Sequence, residues 1–527
     1  MDFQTKRYQR LTSGFLVSLL CLLLFVACSS GQSNTSTKSA TSTATDPVTI
    51  PSTTPTPVDS PTNKAEITWP AFNGGGSRSG INSSEKIITP GNVGQLTRLW
   101  QQTLPAVVDS SPVELPDVKT PSGTKTLLFV TTLTGSLLAL DASTGQQVWR
   151  QNTGGPKFTT SSPAIDPSGQ YVYGYGLDGK IHKYTVGTGA EQGSGGWPVT
   201  ITNMPDVEKG SSSLNIANGY LYMTTSGYPG DAGHYQGHVI AISLSTGVLS
   251  VFNSLCANIH QLLDTVSSDA NYCPDVQSGI WARAGAVVDP LTGNVFVTTG
   301  NGNYTADKGG YDYGDSVIEL SPDLQKVVDS YTPSNYSYLQ STDLDLGGAS
   351  PTLLPMQKGS STPYLAVQAG KDGSVRLLNR QNLSGKGGPN HVGGELQLLN
   401  GAMRGSVLTH PIAWNDAHNT TWVFITDGGE LVAFKVITDS HGHTTLQKAY
   451  QNNHGGSSPF IANGILFVQG NNVLWAMEPT TGNVLWSSAQ ASAGGSIGGL
   501  HWQSPIIVNG RVYVPDESSH FTAYGLK

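Results

Sequence analysis

A repeated stretch constrains this chain more than any other feature. Residues Leu133 to Trp149 read as a strand, a tight Thr134-Gly135 turn, a second strand with Leu138 and Leu140 on one face, an Asp141 to Gly145 turn, and a third strand ending in Trp149. The pattern returns at Ala476 to Trp486, with the small residue, the acid, Thr-Gly and Trp at the same offsets. Weaker echoes lie at Ala241 to Gly247 and Tyr184 to Gly189. Self-similarity of this kind means stacked or radial modules, so the fold has to be read from the period.

Eight strand openers recur along the chain, most of them a small residue followed by Pro: Ser111-Pro112, Ser162-Pro163, Ser212-Ser213, Gly285-Ala286, Ser350-Pro351, His410-Pro411, Ser458-Pro459 and Ser504-Pro505. Most lead to a short apolar strand, a Gly or Asn-Gly turn, a Tyr- or Val-rich strand such as Tyr171 to Tyr173 or Val512 to Val514, and then the Ala-x-Asp strand. Four antiparallel strands per unit are the grammar of a propeller blade. With 63 glycines and only 12% charged residues, the composition suits many short strands joined by turns. The eighth unit stops before its Trp strand, whereas residues 96–103, around Trp100, form a Trp strand without a unit. Pairing the two predicts an all-β, eight-bladed propeller closed by the N-terminal strand, with no open edge between first and last blades. Trp100, Trp149 and Trp486 then read as packing between blades, and the Asp and Thr-Gly as turn chemistry.

The N-terminus supplies an address. Lys6, Arg7 and Arg10 precede an apolar run from Phe15 to Ala27, the layout of a secretory signal. Its end, Leu24 to Cys28, resembles the bacterial lipoprotein signal, which implies an acylated Cys28 as the new N-terminus and attachment to a membrane. Removing residues 1–27 takes away three positive charges and Asp2, which moves the net charge from −8 to −10 and argues against nucleic-acid binding. Residues 28–66 are Ser, Thr, Pro and small residues that bury nothing, as a disordered tether would be. The propeller is expected over 67–527. In an oxidising compartment Cys256 and Cys273 read as a disulfide contributing roughly 3 kcal/mol. No Cys-x-x-Cys-His for haem attachment is present.

The repeat from Ala139 to Trp149 resembles the signature of the pyrroloquinoline quinone (PQQ)-like propellers, over about residues 67–527. That group includes the eight-bladed quinoprotein alcohol dehydrogenases and non-catalytic lipoproteins such as the scaffold of the outer-membrane β-barrel assembly machine. The resemblance implies the fold and leaves the activity open. Blades three to five carry the quinoprotein likeness. Asp289 to Asn301 resembles the segment whose last Asn binds calcium, Ser341 to Pro351 the acidic stretch holding the general base, and Gly370 to Arg376 the segment whose basic residue meets the cofactor.

The resemblance thereby implies Asp343 and Asp345 as catalytic, Lys371 and Trp281 as cofactor-binding, and Asn301 and Asp231 as metal ligands. Oxygen ligands would hold a cation against the quinone while a carboxylate takes the alcohol proton. Asp343 and Asp345, two apart on a strand, are expected to share a face. The chain departs from the family in lacking an adjacent Cys-Cys pair, in offering only Asp231 as the blade-three acid, and in placing Trp281 two residues early relative to Asp289. Each residue also has a structural reading: Asn301 as a turn former, the two aspartates as loop caps, Lys371 as a hairpin tip. His441, His443 and His454 lie in polar sequence without a ready metal partner.

Two functions therefore stand side by side. The first is a lipid-anchored binding or scaffold module that holds an envelope protein or glycan on blades three to five and on the insertion from Asn253 to Ser278. The second is a PQQ- and calcium-dependent dehydrogenase of alcohols or sugars that passes electrons to a separate acceptor.

Overall fold

The computed structural model describes residues 69–527. The described residues all fall within one compact unit, which carries the fold. The expected signal, tether and Cys28 lie outside the described residues.

Eight sheets follow one another, six of four strands and two of five. Blade one is Val113–Thr120, Gly123–Thr131, Ser136–Asp141 and Gln147–Asn152, paired in that order. The first strand of the repeat thus ends at Thr131, and Leu133 lies in the following turn. The Trp149 strand runs on to Asn152 instead of ending at the Trp. Blade eight is Ile506–Val508, Arg511–Pro515, His520–Gly525 and, from the other end of the propeller, Thr97–Thr103. That last strand pairs antiparallel with His520–Gly525, Thr97 opposite Gly525 and Thr103 opposite His520, and so closes the ring.

The geometry explains the repeat signature. Trp149 of blade one donates its indole N–H to Val186 O of blade two at 2.8 Å, and its ring lies where a Cβ on Gly189 would come within 2.7 Å. Trp100 of blade eight does the same to blade one, bonding Ala142 O at 3.2 Å and covering Gly145. Trp486 of blade seven bonds Leu96 O, beside the closing strand, at 3.1 Å. The glycines of these two Thr-Gly turns are therefore fixed twice, by a positive φ (+72° at Gly145, +69° at Gly189) and by the neighbouring indole. In blade six Tyr450 takes the Trp's place, packing on Gly482 and donating to Pro479 O at 2.7 Å. The apolar core lies between blades: one cluster joins Leu128 and Leu138 of blade one to Tyr513 of blade eight and Phe467 of blade seven.

One segment has no counterpart in the repeat. Residues 69–82 run across one end of the ring and touch seven of its eight blades. Trp69 bridges Glu114, Pro70 O accepts from Ile165 N, and Gly76 O accepts from Val288 N and from the Asn215 amide. Ile81–Asn82 adds a parallel strand to Phe460–Ala462, and Asn82 donates to Ile507 O. Arg78 sits at the centre, fully buried, donating to the carbonyls of Phe72, Ser213, Leu214 and Ala284 at 2.8–3.1 Å. The His410 ring of blade six approaches Arg78 O at 3.1 Å. With its side chain bonded at blades three and four and its carbonyl met from blade six, Arg78 ties this segment across the ring, which plugs one end of the channel.

Candidate functional site

Arg283, four residues before blade four's first strand Val287–Val288, marks the other side of the plug. Its guanidinium lies 5.8 Å from the Phe72 ring of the plug and 5.4 Å from the Trp502 ring, and it donates to Gln503 O of the last blade connection. Beyond Trp502 opens a pocket of about 340 Å³. Such a volume falls within the range of small-molecule sites.

The pocket is lined from most of the way around the ring. Blade three supplies Lys209 and the turn Ser226 to Asp231, the link to blade four supplies Trp281, the link to blade five Asp343 and Asp345, and blade five Lys371. Phe158 and Thr160 come from the link between blades one and two, and His501 and Trp502 from the link to blade eight. Trp281 and Trp502 stack at 6.2 Å with planes 17° apart, and Phe158 meets Tyr228 edge-on at 5.6 Å. The wall is thus aromatic on two sides.

Asp345 is the most engaged group. Its Oδ1 accepts from Asn301 N at 2.9 Å, and its Oδ2 takes the Trp281 indole N–H at 3.1 Å and faces Lys371 Nζ at 3.1 Å. Burial pushes its carboxyl above the usual range, against the pull of Lys371 and the Asn301 amide. Lys371 also bonds Asp343 Oδ1 at 2.7 Å and lies 5.5 Å above the Trp281 ring. Burial opposes its charge, but the two carboxylates more than offset this and hold it above the usual lysine value.

The two aspartates do not share a strand. The helix Tyr336–Thr342 ends at Asp343, which adopts φ +56°, and Asp345 precedes the single turn Leu346–Gly348. Alternation therefore does not govern them: Asp345 is buried against blade four while Asp343 is two-thirds exposed. They still meet, through Lys371.

The expected metal ligands behave differently. Asn301 reaches Asp345 through its backbone N–H, and it is not among the pocket's lining residues. Asp231 lines the pocket but accepts the Tyr235 hydroxyl at 2.5 Å. Calcium asks for six to eight oxygens, whereas the Asp345 carboxylate already faces three N–H donors, one of them a cation. The residues present do not fit a calcium ion at Asp345. The Trp281 face, with Lys371 Nζ 5.5 Å above it, does suit a flat, negatively charged ring such as PQQ. His441 and His443 stack on each other at 6.3 Å, and His454 packs on Trp475 at 4.7 Å. Cys256 and Cys273 are joined, and the insertion they staple is tied to blade four through Cys256 N to Asp312 Oδ1 at 3.0 Å.

Lys209 was not legible in the sequence. It is 6% exposed, donates to Ser211 Oγ at 3.2 Å, and lies 5.5 Å over the Phe158 ring. Burial lowers its pKa to about 8, with Asp109 opposing. Arg283 is lowered to about 9 for the same reason, again against Asp109. One buried carboxylate thus answers two buried cations.

These features define a class: an eight-bladed propeller of PQQ-type repeats. Residues 69–174 match the family described as "Glucose/ethanol/alcohol dehydrogenase, beta-propeller domain", and residues 377–527 the family described as "Outer membrane protein assembly factor BamB". Among solved structures the chain is similar to the quinohemoprotein alcohol dehydrogenase from Comamonas testosteroni (14% identity, TM-score 0.61, 88% of this chain and 81% of that one). It is also similar to a europium-containing methanol dehydrogenase (14%, 0.61, 87% and 98%) and to BamB from Moraxella catarrhalis (13%, 0.50, 82% and 99%). No curated protein matches the chain by sequence. At these identities the likeness is one of fold. Among the described residues no helix is long and apolar enough to cross a membrane.

Proposed function

We propose that this chain is a lipid-anchored, extracytoplasmic propeller that works as a binding module, with the pocket between Trp281, Trp502 and Lys371 as its recognition surface. The domain division that goes with it is a signal at 1–27, an acylated Cys28, a tether over 28–66 and the propeller over 67–527. A ligand or an envelope protein or glycan partner would meet the aromatic wall first, with the stapled insertion at the rim. The observation that carries this reading is the saturation of Asp345: a carboxylate spending its oxygens on Asn301, Trp281 and Lys371 is part of a built wall.

A dehydrogenase of alcohols or sugars is the second reading. It is favoured by the meeting of Trp281, Lys371, Asp343 and Asp345 in one pocket and by the likeness of fold to quinoprotein dehydrogenases. Lys371 and the Trp281 face would hold a quinone, whose own chemistry would accept hydride when bound. Titrating the purified protein with PQQ, with and without calcium, decides between the two. The binding-module reading expects no dye-linked oxidation of alcohols at saturating cofactor. Tryptophan quenching together with such oxidation would overturn it in favour of the enzyme.

A further inference from the structure

The eighth-blade side of the pocket carries a pair that neither reading has used. Asp109, 1% exposed, accepts from His501 Nδ1 through Oδ2 at 2.6 Å and from Trp502 N through Oδ1 at 2.8 Å. A carboxylate only accepts hydrogen bonds, so Nδ1 must carry the hydrogen, and in the neutral ring Nε2 is left with its lone pair. His501 lines the pocket, and Nε2 has no hydrogen-bond partner among the described residues. The imidazole stacks on Trp502 at 5.5 Å with planes 20° apart, which places it in line with the Trp502 and Trp281 rings.

The contrast with the acids across the pocket is chemical. Asp345 faces three N–H donors, Asp343 is tied to Lys371 and Asp231 takes the Tyr235 hydroxyl, whereas the imidazole is held in orientation by a buried carboxylate with its outer nitrogen unengaged. The charged groups facing it are Asp109 and Glu517, which favour the imidazolium, and Arg283, which opposes it.

We propose that His501, oriented by Asp109, is the proton-accepting group of the pocket, and that the ligand is a ring compound bearing a hydroxyl, stacked on the Trp502–Trp281 wall with that hydroxyl donating to Nε2. The inference rests on the pocket being the recognition surface. If the proton crosses fully, the ligand O–H bond breaks, an Nε2–H bond forms, the electron pair stays on the ligand oxygen, and Asp109 balances the imidazolium.

The first test needs no ligand. Nitrogen chemical shifts of histidine-labelled full-length protein, with His501→Asn identifying the resonance, should report the Nδ1–H tautomer. The Nε2–H form usual for exposed histidines would overturn the proposal. So would stoichiometric uptake of Zn²⁺ that displaces the Nδ1 proton and vanishes in His501→Asn, because Nδ1 would then serve a metal. In the second test, tryptophan quenching by benzyl alcohol is compared with quenching by benzyl methyl ether, which lacks the donor. The alcohol should bind about five- to tenfold tighter, the worth of one hydrogen bond, and His501→Phe, which keeps the stack, should erase the preference. Equal binding of the two probes overturns this inference alone. Quenching by neither overturns the pocket reading and the ligand assignment with it.

Discussion

The two ends of the channel answer the same physical problem in opposite ways. At the plugged end a buried arginine spends its donors on carbonyls of its own chain, from Phe72 to Ala284. At the open end Lys209 has one hydroxyl partner and shares a distant carboxylate with Arg283. A cation saturated by backbone is architecture, because any change there strands several acceptors. A cation with unused donors at a cavity wall is available to something that is not part of the chain. The lesson is that net burial does not separate structural from functional charge; the partner list does.

The largest expected effect tests the structural half. Arg78→Ala strands four buried carbonyls and should cost about 3–5 kcal/mol in urea unfolding while leaving probe quenching at the pocket unchanged. Unaltered stability would remove the plug from the account. Next comes Lys371→Met, which leaves Asp345 buried without its cation and should cost about 1–3 kcal/mol at neutral pH. That loss should shrink as the pH falls and Asp345 takes a proton, since its carboxyl is already held above the usual range.

A pH-dependent effect belongs to Lys209. Its folded pKa of about 8 lies below the ordinary 10.5, so its contribution is full above pH 10.5 and is lost as the pH falls through 8. Denaturation midpoints should therefore decline over that window in wild type and stay flatter in Lys209→Met, which should be the more stable protein at pH 7. The smallest change is expected of Trp502→Ala. It sits half-buried at the wall, and its removal should cost about 1 kcal/mol in stability yet abolish most of the probe quenching.

Much of the fold was legible because the repeat writes its contacts into the sequence. Ala139, Asp141, Gly145 and Trp149 recur where a blade uses the same turn and sets the same indole on its neighbour's glycine, as Trp100 and Trp149 do. The orphan Trp strand gave away the ring closure for the same reason. The pocket was legible only in part. Trp281, Asp345 and Lys371 stand in stretches with recognisable patterns, whereas Phe158, Lys209, His501 and Trp502 come from links between blades, where no period constrains the residue. Only closure brings Trp502 onto Trp281. Asp343 and Asp345 misled because alternation was applied to what is a helix end and a turn. The plug was invisible for a further reason: residues 69–82 pack on inner strands one blade at a time, and nothing in their own sequence repeats.

The join between Thr97–Thr103 and His520–Gly525 also sets an order of events in time. A chain made from its N-terminus delivers one half of this seam early and the other last, so for nearly the whole of its synthesis the nascent sheet array has two unpaired rims. An assembly of this kind should hold back its final, protease-resistant state until the far partner arrives, and a prematurely terminated product should be recognised and degraded as unfinished.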